Sequence, residues 1–339
     1  MELEGTILRG ESFEPVEGRV VVDDGEITAV EETETESDAI VCPAFVNAHT
    51  HIGDSIAKEA GGGLSLVELV APPDGLKHRL LRQASFEELV DAMHRSLRFM
   101  QSGGTATCIE FREGGVEGVE AIREAAKGLG IDPVVLGRET VDAMAHEGAD
   151  GFGASGANDA EFGTEREATR EAGKLFAIHA GEGDSSDIDP AMDLDPEFLV
   201  HMVHPEPRHL DRVAEEGTPI AVCPRSNLVT GVGLPPIREW LDRTTVALGT
   251  DNVMLNSPSM FREMEFTAKL CDVTATEVLR MATLSGAELA GLNYGCIEPG
   301  REAKLLVLDG DSDNLAGAHD PVRAVVRRAG VDDVKQVIC

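Results

Sequence analysis

The chain is short of positive charge. Against 62 acidic residues it carries 29 lysines and arginines, only seven of them lysine, for a formal net charge of −33. A phosphate backbone needs a basic patch, and none is visible, so nucleic-acid binding is disfavoured. A surface this acidic repels itself in dilute buffer, whereas near 1 M salt the Debye length falls to about 3 Å and the repulsion is screened. The acids are spread along the whole chain rather than blocked into a tail. That pattern reads as adaptation to a salt-rich cytoplasm, a halophilic protein. Long apolar runs are also missing: none approaches the roughly 18 residues of a membrane span. The opening MELEGTILRGESFEP has neither the basic nor the apolar region of a secretory signal. The expectation is a cytoplasmic protein with no membrane partner. Paired cysteines are the third absence. Cys42, Cys108, Cys223, Cys271, Cys296 and Cys339 form no CxxC, and several lie in apolar runs. They are expected to be reduced, which disfavours a zinc finger or a disulfide framework.

What is present is a chain of 339 residues, 42% hydrophobic, long enough for one large domain and a small one. The first 40 residues read as short strands, GTILRG, GRVVVDDG and EITAVEE, with a turn at Asp23, Asp24 and Gly25. From Ala44 the pattern changes to apolar runs separated by helical stretches. Eight such runs start near Phe45, Thr105, Val134, Asp150, Leu175, Phe198, Pro219 and Val246. Eight strands with intervening helices over about 250 residues is the rhythm of a (β/α)8 barrel. An open doubly wound sheet should carry a glycine-rich phosphate loop after its first strand; HTHIGD stands there instead. Beyond the barrel, TATEVLRMATLSGAELAGL reads as a helix stopped by glycines, and EPGREAKLLVLDGD, PVRAVVRRAG and DVKQVIC read as strands. The predicted architecture is an α/β TIM barrel over 44–295, with a small composite β-sandwich domain built from 1–43 and 296–339. No internal repeat or low-complexity segment interrupts it.

In VCPAFVNAHTHIGD, His49 and His51 are two residues apart. Alternate residues of an extended chain point to one side, so both imidazoles can face one metal ion. An HxH alone is weak, because any strand pair spells it. Barrel enzymes place their catalytic residues at the C-terminal ends of strands, and further candidates fall there: His179 in FAIHAGE, His201 in FLVHMVH and Asp251 in LGTDN. Imidazoles with a carboxylate suit Zn2+ or Fe2+ with a position left open for water, whose pKa the metal lowers towards about 7. Blander accounts exist for each residue alone. Asp251 sits in good turn chemistry, Glu182 is one acid among many, and His78, His94, His146, His209 and His319 read as solvated surface residues.

NAHTHIGD, HAGE (179–182), VHMVH (200–204), CPRSN (223–227), LGTD (248–251) and the closing PGREAKLLVLD together resemble the amidohydrolase superfamily. Within it the chain is similar to the branch of cytosine deaminase, the chlorohydrolases and S-adenosylhomocysteine-type deaminases. The resemblance implies that His49, His51, His179 and Asp251 hold the metal and that Asp251 takes a proton from the attacking water. It implies that Glu182 carries protons to the ring nitrogen and the leaving amine. His201 would touch that water or polarise the substrate; His204 competes for the role, and alignment with the family's HCVH-like segment prefers His201. Two-metal relatives bridge their ions with a carboxylated lysine on strand four, and ADGFGASGAND has none, so the resemblance implies one divalent ion. The chain departs from the branch in being shorter, and in NVMLNSPSM after Asp251, which keeps only part of a serine- and asparagine-rich continuation.

Arg112 and Arg138 follow strands two and three, where a guanidinium would read an anionic or carbonyl group; ion pairing with the many acids is the alternative. Gly61 to Gly63 and PPDGLKH (72–78) form a long loop after strand one that suits a lid. Ser226 and Asn227 either shape the pocket or cap the next helix. The function read from all this is metal-dependent hydrolysis of a non-peptide carbon–nitrogen bond in a small molecule. Deamination of a nucleobase, nucleoside or related amino-heterocycle comes first. Cleavage of a lactam- or imidazolone-type cyclic amide, and a non-catalytic metal-binding module, are the alternatives. A homo-oligomer is left open.

Overall fold

A computed structural model describes residues 1–70 and 74–339. Pro72 and Pro73 of the expected lid therefore lie outside the described residues. The barrel strands, one to eight, are Phe45–His51, Thr105–Arg112, Asp132–Gly137, Gly151–Ala154, Leu175–Ala180, Phe198–His201, Ile220–Val222 and Val246–Leu248. Each pairs in parallel with the next, and a two-residue strand, Asp251–Asn252, pairs back onto strand one through Thr50 and His51. Only Gly249 and Thr250 separate strand eight from that pairing, so the two ends of the sheet meet and the sheet fits a TIM-like barrel. The close approach needs glycine: a Cβ on Gly249 would stand 2.8 Å from the His49 nitrogen. Asn47 ties the seam, donating to Thr250 Oγ1 at 2.7 Å and accepting from Thr250 N at 2.9 Å.

Strands one and two are buried at every residue, as parallel strands covered on both faces should be. The helix Phe86–Ser102 starts at a Ser85–Glu88 capping box, which satisfies two orphan backbone donors. Its Met93, Leu97 and Met100, spaced four and three apart, pack with Val119 and Ile122 of the helix Gly115–Ala126. Truncating Leu97 to alanine there costs roughly 2–5 kcal/mol.

Strands from both ends of the chain share one six-stranded sheet, in the order Val334–Ile338, Leu305–Asp309, Ala39–Pro43, Glu2–Arg9, Glu14–Asp23, Glu26–Glu32. The apolar segment before the histidines thus serves two sheets: the chain leaves the small one at Pro43 and enters the barrel at Phe45. Two expectations are corrected. PVRAVVRRAG is not a strand but the helix Pro321–Arg327: Asp320 accepts from Arg323 N, proline takes the first turn, and Val322, Val325 and Val326 are buried at helical spacing. This helix packs on Met260–Leu270 and Ala275–Ala282. TATEVLRMATLSGAELAGL is two helices, Ala275–Ala282 and Leu284–Leu289, broken at Thr283 with φ −133° and ψ −90°. Among the described residues no helix is long and apolar enough to cross a membrane, and all six cysteines are free.

Candidate metal centre

Five barrel strands deliver side chains to one point. His49 Nε2 lies 3.2 Å from Asp251 Oδ1, His51 Nε2 lies 3.7 Å from the same oxygen, and His51 and His179 face each other Nε2 to Nε2 at 3.4 Å. His201 Nε2 is 3.6 Å from Glu182 Oε2. Ligand atoms of His49, His179 and His201, of His49, His51 and Asp251, and of Glu182, His201 and Asp251 converge within 4.8 Å in each set. Phe111 forms an apolar floor, its ring centroid 4.5 Å from that of His49 and 5.0 Å from that of His179.

Backbone strain helps to aim these groups. His201, Met202 and Asp251 have φ of 75°, 48° and 56°, left-handed conformations that cost non-glycine residues of order 1–3 kcal/mol each. The surroundings hold them there: Trp240 Nε1 donates to Met202 O at 3.1 Å, and Ser226 Oγ donates to Asp251 Oδ2 at 2.5 Å.

The outer ring nitrogens sort the histidines. His51 Nδ1 is 2.9 Å from Glu113 Oε1, and His179 Nδ1 is 2.7 Å from Ala154 O. Both oxygens only accept, so each Nδ1 carries the proton and each Nε2 lone pair faces the cluster. Asn227 Nδ2 is 3.1 Å from His201 Nδ1 and 3.4 Å from Glu182 Oε1. The carboxylate fixes the amide with its NH2 inward, so His201 Nδ1 accepts and its Nε2–H points into the site. Neither ring nitrogen of His49, 0% exposed, makes a well-aligned hydrogen bond, and Nε2 meets only the Asp251 carboxylate at 3.2 Å. A buried polar atom left so is costly, and a metal at Nε2 would satisfy that nitrogen.

Protonation states agree with a cation site. Burial pushes His49 down to about 4, with Asp251 opposing, and His51 down to about 3, aided by Lys77. Burial alone would raise the Asp251 carboxyl, but His49 and His201 hold it well below the usual carboxylate range. Neutral imidazoles beside an ionised carboxylate are the forms that bind metal. Burial raises Glu182, with His201 opposing.

The other predicted residues are placed differently. Arg112 is 2% exposed, paired with Glu110 at 3.1 Å and with Glu113 at 3.5 Å. It packs beneath Gly53, whose Cβ would collide with the guanidinium. Arg138, 3.1 Å from Glu113 Oε1, lines both a cavity of about 210 Å³ at the cluster and an adjoining cleft of about 670 Å³. His204 is exposed, three residues beyond His201. Of the histidines expected on the surface only His319 is exposed. His209 is wholly buried, its Nδ1 accepting from Glu206 N at 3.0 Å at a helix start.

Sequence reasoning missed Glu113, Lys77, Asp54 and Glu110. Glu113 stands one residue past strand two, where the strand-end rule points, but its neighbour Arg112 took that place. In a chain with 62 acids one more glutamate carries no signal. The Arg225–Glu263 pair, 2.6 Å apart and buried, was missed too; it anchors the helix Pro224–Thr230, which presents Ser226 to Asp251 and Asn227 to His201.

The Amidohydrolase family model matches residues 40–339, and the chain belongs to that family. It is a metal-dependent hydrolase of carbon–nitrogen bonds. A relative in Methanothermobacter thermautotrophicus, provisionally named an aminohydrolase, is 37% identical, with 96% of this chain and 93% of that protein covered. A 5-methylthioadenosine/S-adenosylhomocysteine deaminase of Halobacterium salinarum is 28% identical over 96% of this chain and 88% of its own length. Among solved structures, a zinc-bound adenosine deaminase from Xanthomonas campestris superimposes with a TM-score of 0.84 at 21% identity, covering 99% of this chain and 91% of that one. Guanine deaminase from C. acetobutylicum with bound guanine gives 0.82 at 14% identity, covering 99% and 98%.

Proposed function

We propose that the enzyme hydrolytically deaminates a purine, pyrimidine or related amino-heterocycle. The observation that carries this is the meeting of a three-histidine and one-aspartate cluster with Glu182 and the inward Nε2–H of His201 at one cavity. We assign the metal to His49, His51, His179 and Asp251. One ion, Zn2+, is favoured: strand four is GFGA, without lysine, and the adenosine deaminase neighbour carries zinc. When bound, such an ion lowers the pKa of water towards about 7. Asp251, held ionised, accepts a proton from the attacking water. Glu182, with its raised pKa, moves a proton to the ring nitrogen and then to the leaving amine. His201 donates Nε2–H to oxygen, and Asn227 fixes it in that tautomer. The deaminase names among the relatives support this substrate class.

The test is ammonia release across a panel of amino-heterocycles with zinc supplied and Glu182→Gln as control. Release that the variant abolishes supports the proposal; turnover of lactams without ammonia would overturn it. We also propose a division into 44–295 and a composite of 1–43 with 296–339, supported by the shared six-stranded sheet, and a cytoplasmic, salt-rich setting, supported by free thiols and the excess of acids. For the salt reading, midpoint stability should climb steeply as KCl rises to multimolar levels; equal stability at low salt would sink it.

A further inference from the structure

The helix Leu76–Gln83 buries only one side chain fully, and it is a lysine. Lys77, 4% exposed, lies 2.8 Å from Glu113 Oε1, 3.1 Å from Asp54 Oδ2 and 3.5 Å from His51 Nδ1. Leu76 and Leu80 add half-buried packing near Ala57 and Met254. An unpaired buried ammonium would cost several kcal/mol. Docking of this helix therefore depends on two carboxylates, one of which is the partner of a proposed metal ligand. Glu113 Oε1 serves His51 Nδ1, Lys77 and Arg138 at once. Resting on the metal reading above, we propose that Lys77 is a positioning residue: delivered by its helix, it pins Glu113 onto His51 and so couples docking of the helix to metal affinity.

The physical link is short. A cation on His51 Nε2 would strengthen its Nδ1–H as a donor and draw on the negative charge of Glu113. Glu113 so fixed is the better partner for Lys77. Without Lys77, the pull of Arg138 and Arg112, which already pair with Glu113, is unbalanced, and the carboxylate shifts off His51, which loses its orienting oxygen. Linkage requires the effect to be mutual: what metal does for docking, docking does for metal affinity.

The experiment uses the full chain with Zn2+. Affinity is measured by competition with a chromophoric chelator, and amide hydrogen exchange of residues 76–83 is followed with and without Zn2+. In the wild type, Zn2+ should slow exchange in this helix. Lys77→Met should weaken Zn2+ binding about tenfold and abolish that slowing, while Glu113→Gln weakens it at least as much. Lys77→Arg should restore most of the affinity, which a simple packing role would not predict. If Lys77→Met fails to fold, the Lys77→Met, Asp54→Asn double variant and Lys77→Arg carry the test. Wild-type affinity in Lys77→Met, or Zn2+-dependent slowing unchanged in it, overturns the coupling while leaving the metal reading intact. A wild type that takes up no divalent metal overturns both.

Discussion

The two flanks of the cluster are built from opposite materials. On the His51 side the supporting groups are ionic and sealed: Glu113, Lys77, Asp54, Arg112 and Glu110 are all under 5% exposed. On the His201 side the support is a neutral amide, Asn227, and the carboxylate that shares it, Glu182, keeps a side-chain exposure of 21%. The ionic flank fixes a lone pair pointing inward, and a group held from every side is suited to staying put. The amide flank leaves an N–H pointing inward beside a carboxylate that solvent can reach, which suits proton movement. On the proposed mechanism, the difference gives holding to one flank and transfer to the other.

The strongest way to break that contrast is Glu182→Gln. If the His201 flank transfers protons, kcat should fall about 10²–10⁴-fold while metal content, read by atomic absorption, stays at the wild-type level. Loss of metal together with activity would mean that Glu182 belongs to the holding side.

The ionic flank can be probed through pH. Burial pushes the Glu110 carboxyl up to about 7, with Arg112 opposing, from an ordinary value of 4.5. Its folded pKa exceeds its unfolded one, so the unfolded chain loses this proton first and the wild type loses stability as pH rises from about 4.5 to about 7. Glu110→Gln, which cannot ionise, should escape that loss. The stability of the variant relative to wild type should therefore grow by about 3 kcal/mol over this window and then level off. Denaturant melts of the metal-stripped proteins across the range would show it. A flat difference would mean that Arg112 keeps Glu110 ionised throughout.

How far the sequence foretold these flanks depended on whether a residue's chemistry is rare. His49, His51, His179 and His201 stand out because the chain has only ten histidines, and the barrel rhythm placed these four at the ends of strands one, five and six before any coordinates. Glu113 and Asp54 were invisible among 62 acids. Lys77 had rarity in its favour, being one of seven lysines, yet nothing local says that a lysine on a short helix will be buried; that follows from Asp54 and Glu113, which stand just past strands one and two, far apart in the chain but adjacent in the sheet. The helix Pro321–Arg327 was misjudged for a related reason. Its valines suit a strand, but the Asp320 cap, the Pro321 start and a packing site on two barrel helices outweighed that propensity.

The subtlest test exchanges the character of one flank for that of the other. Asn227→Asp changes one amide nitrogen to oxygen at nearly constant volume. A carboxylate 3.1 Å from His201 Nδ1 can only accept, so the proton must move to Nδ1 and the Nε2 lone pair would turn inward, as in His51 and His179. His201 would then resemble a ligand and cease to be a donor. The expected result is a roughly 10–100-fold fall in kcat, with metal affinity kept or raised, and a cobalt-substituted spectrum shifted by the added nitrogen. Asn227→Ala, which leaves the tautomer free, should cost less than the aspartate. If alanine proves the more damaging change, Asn227 acts through its bond to Glu182 or through packing, and the two flanks differ in composition without differing in role.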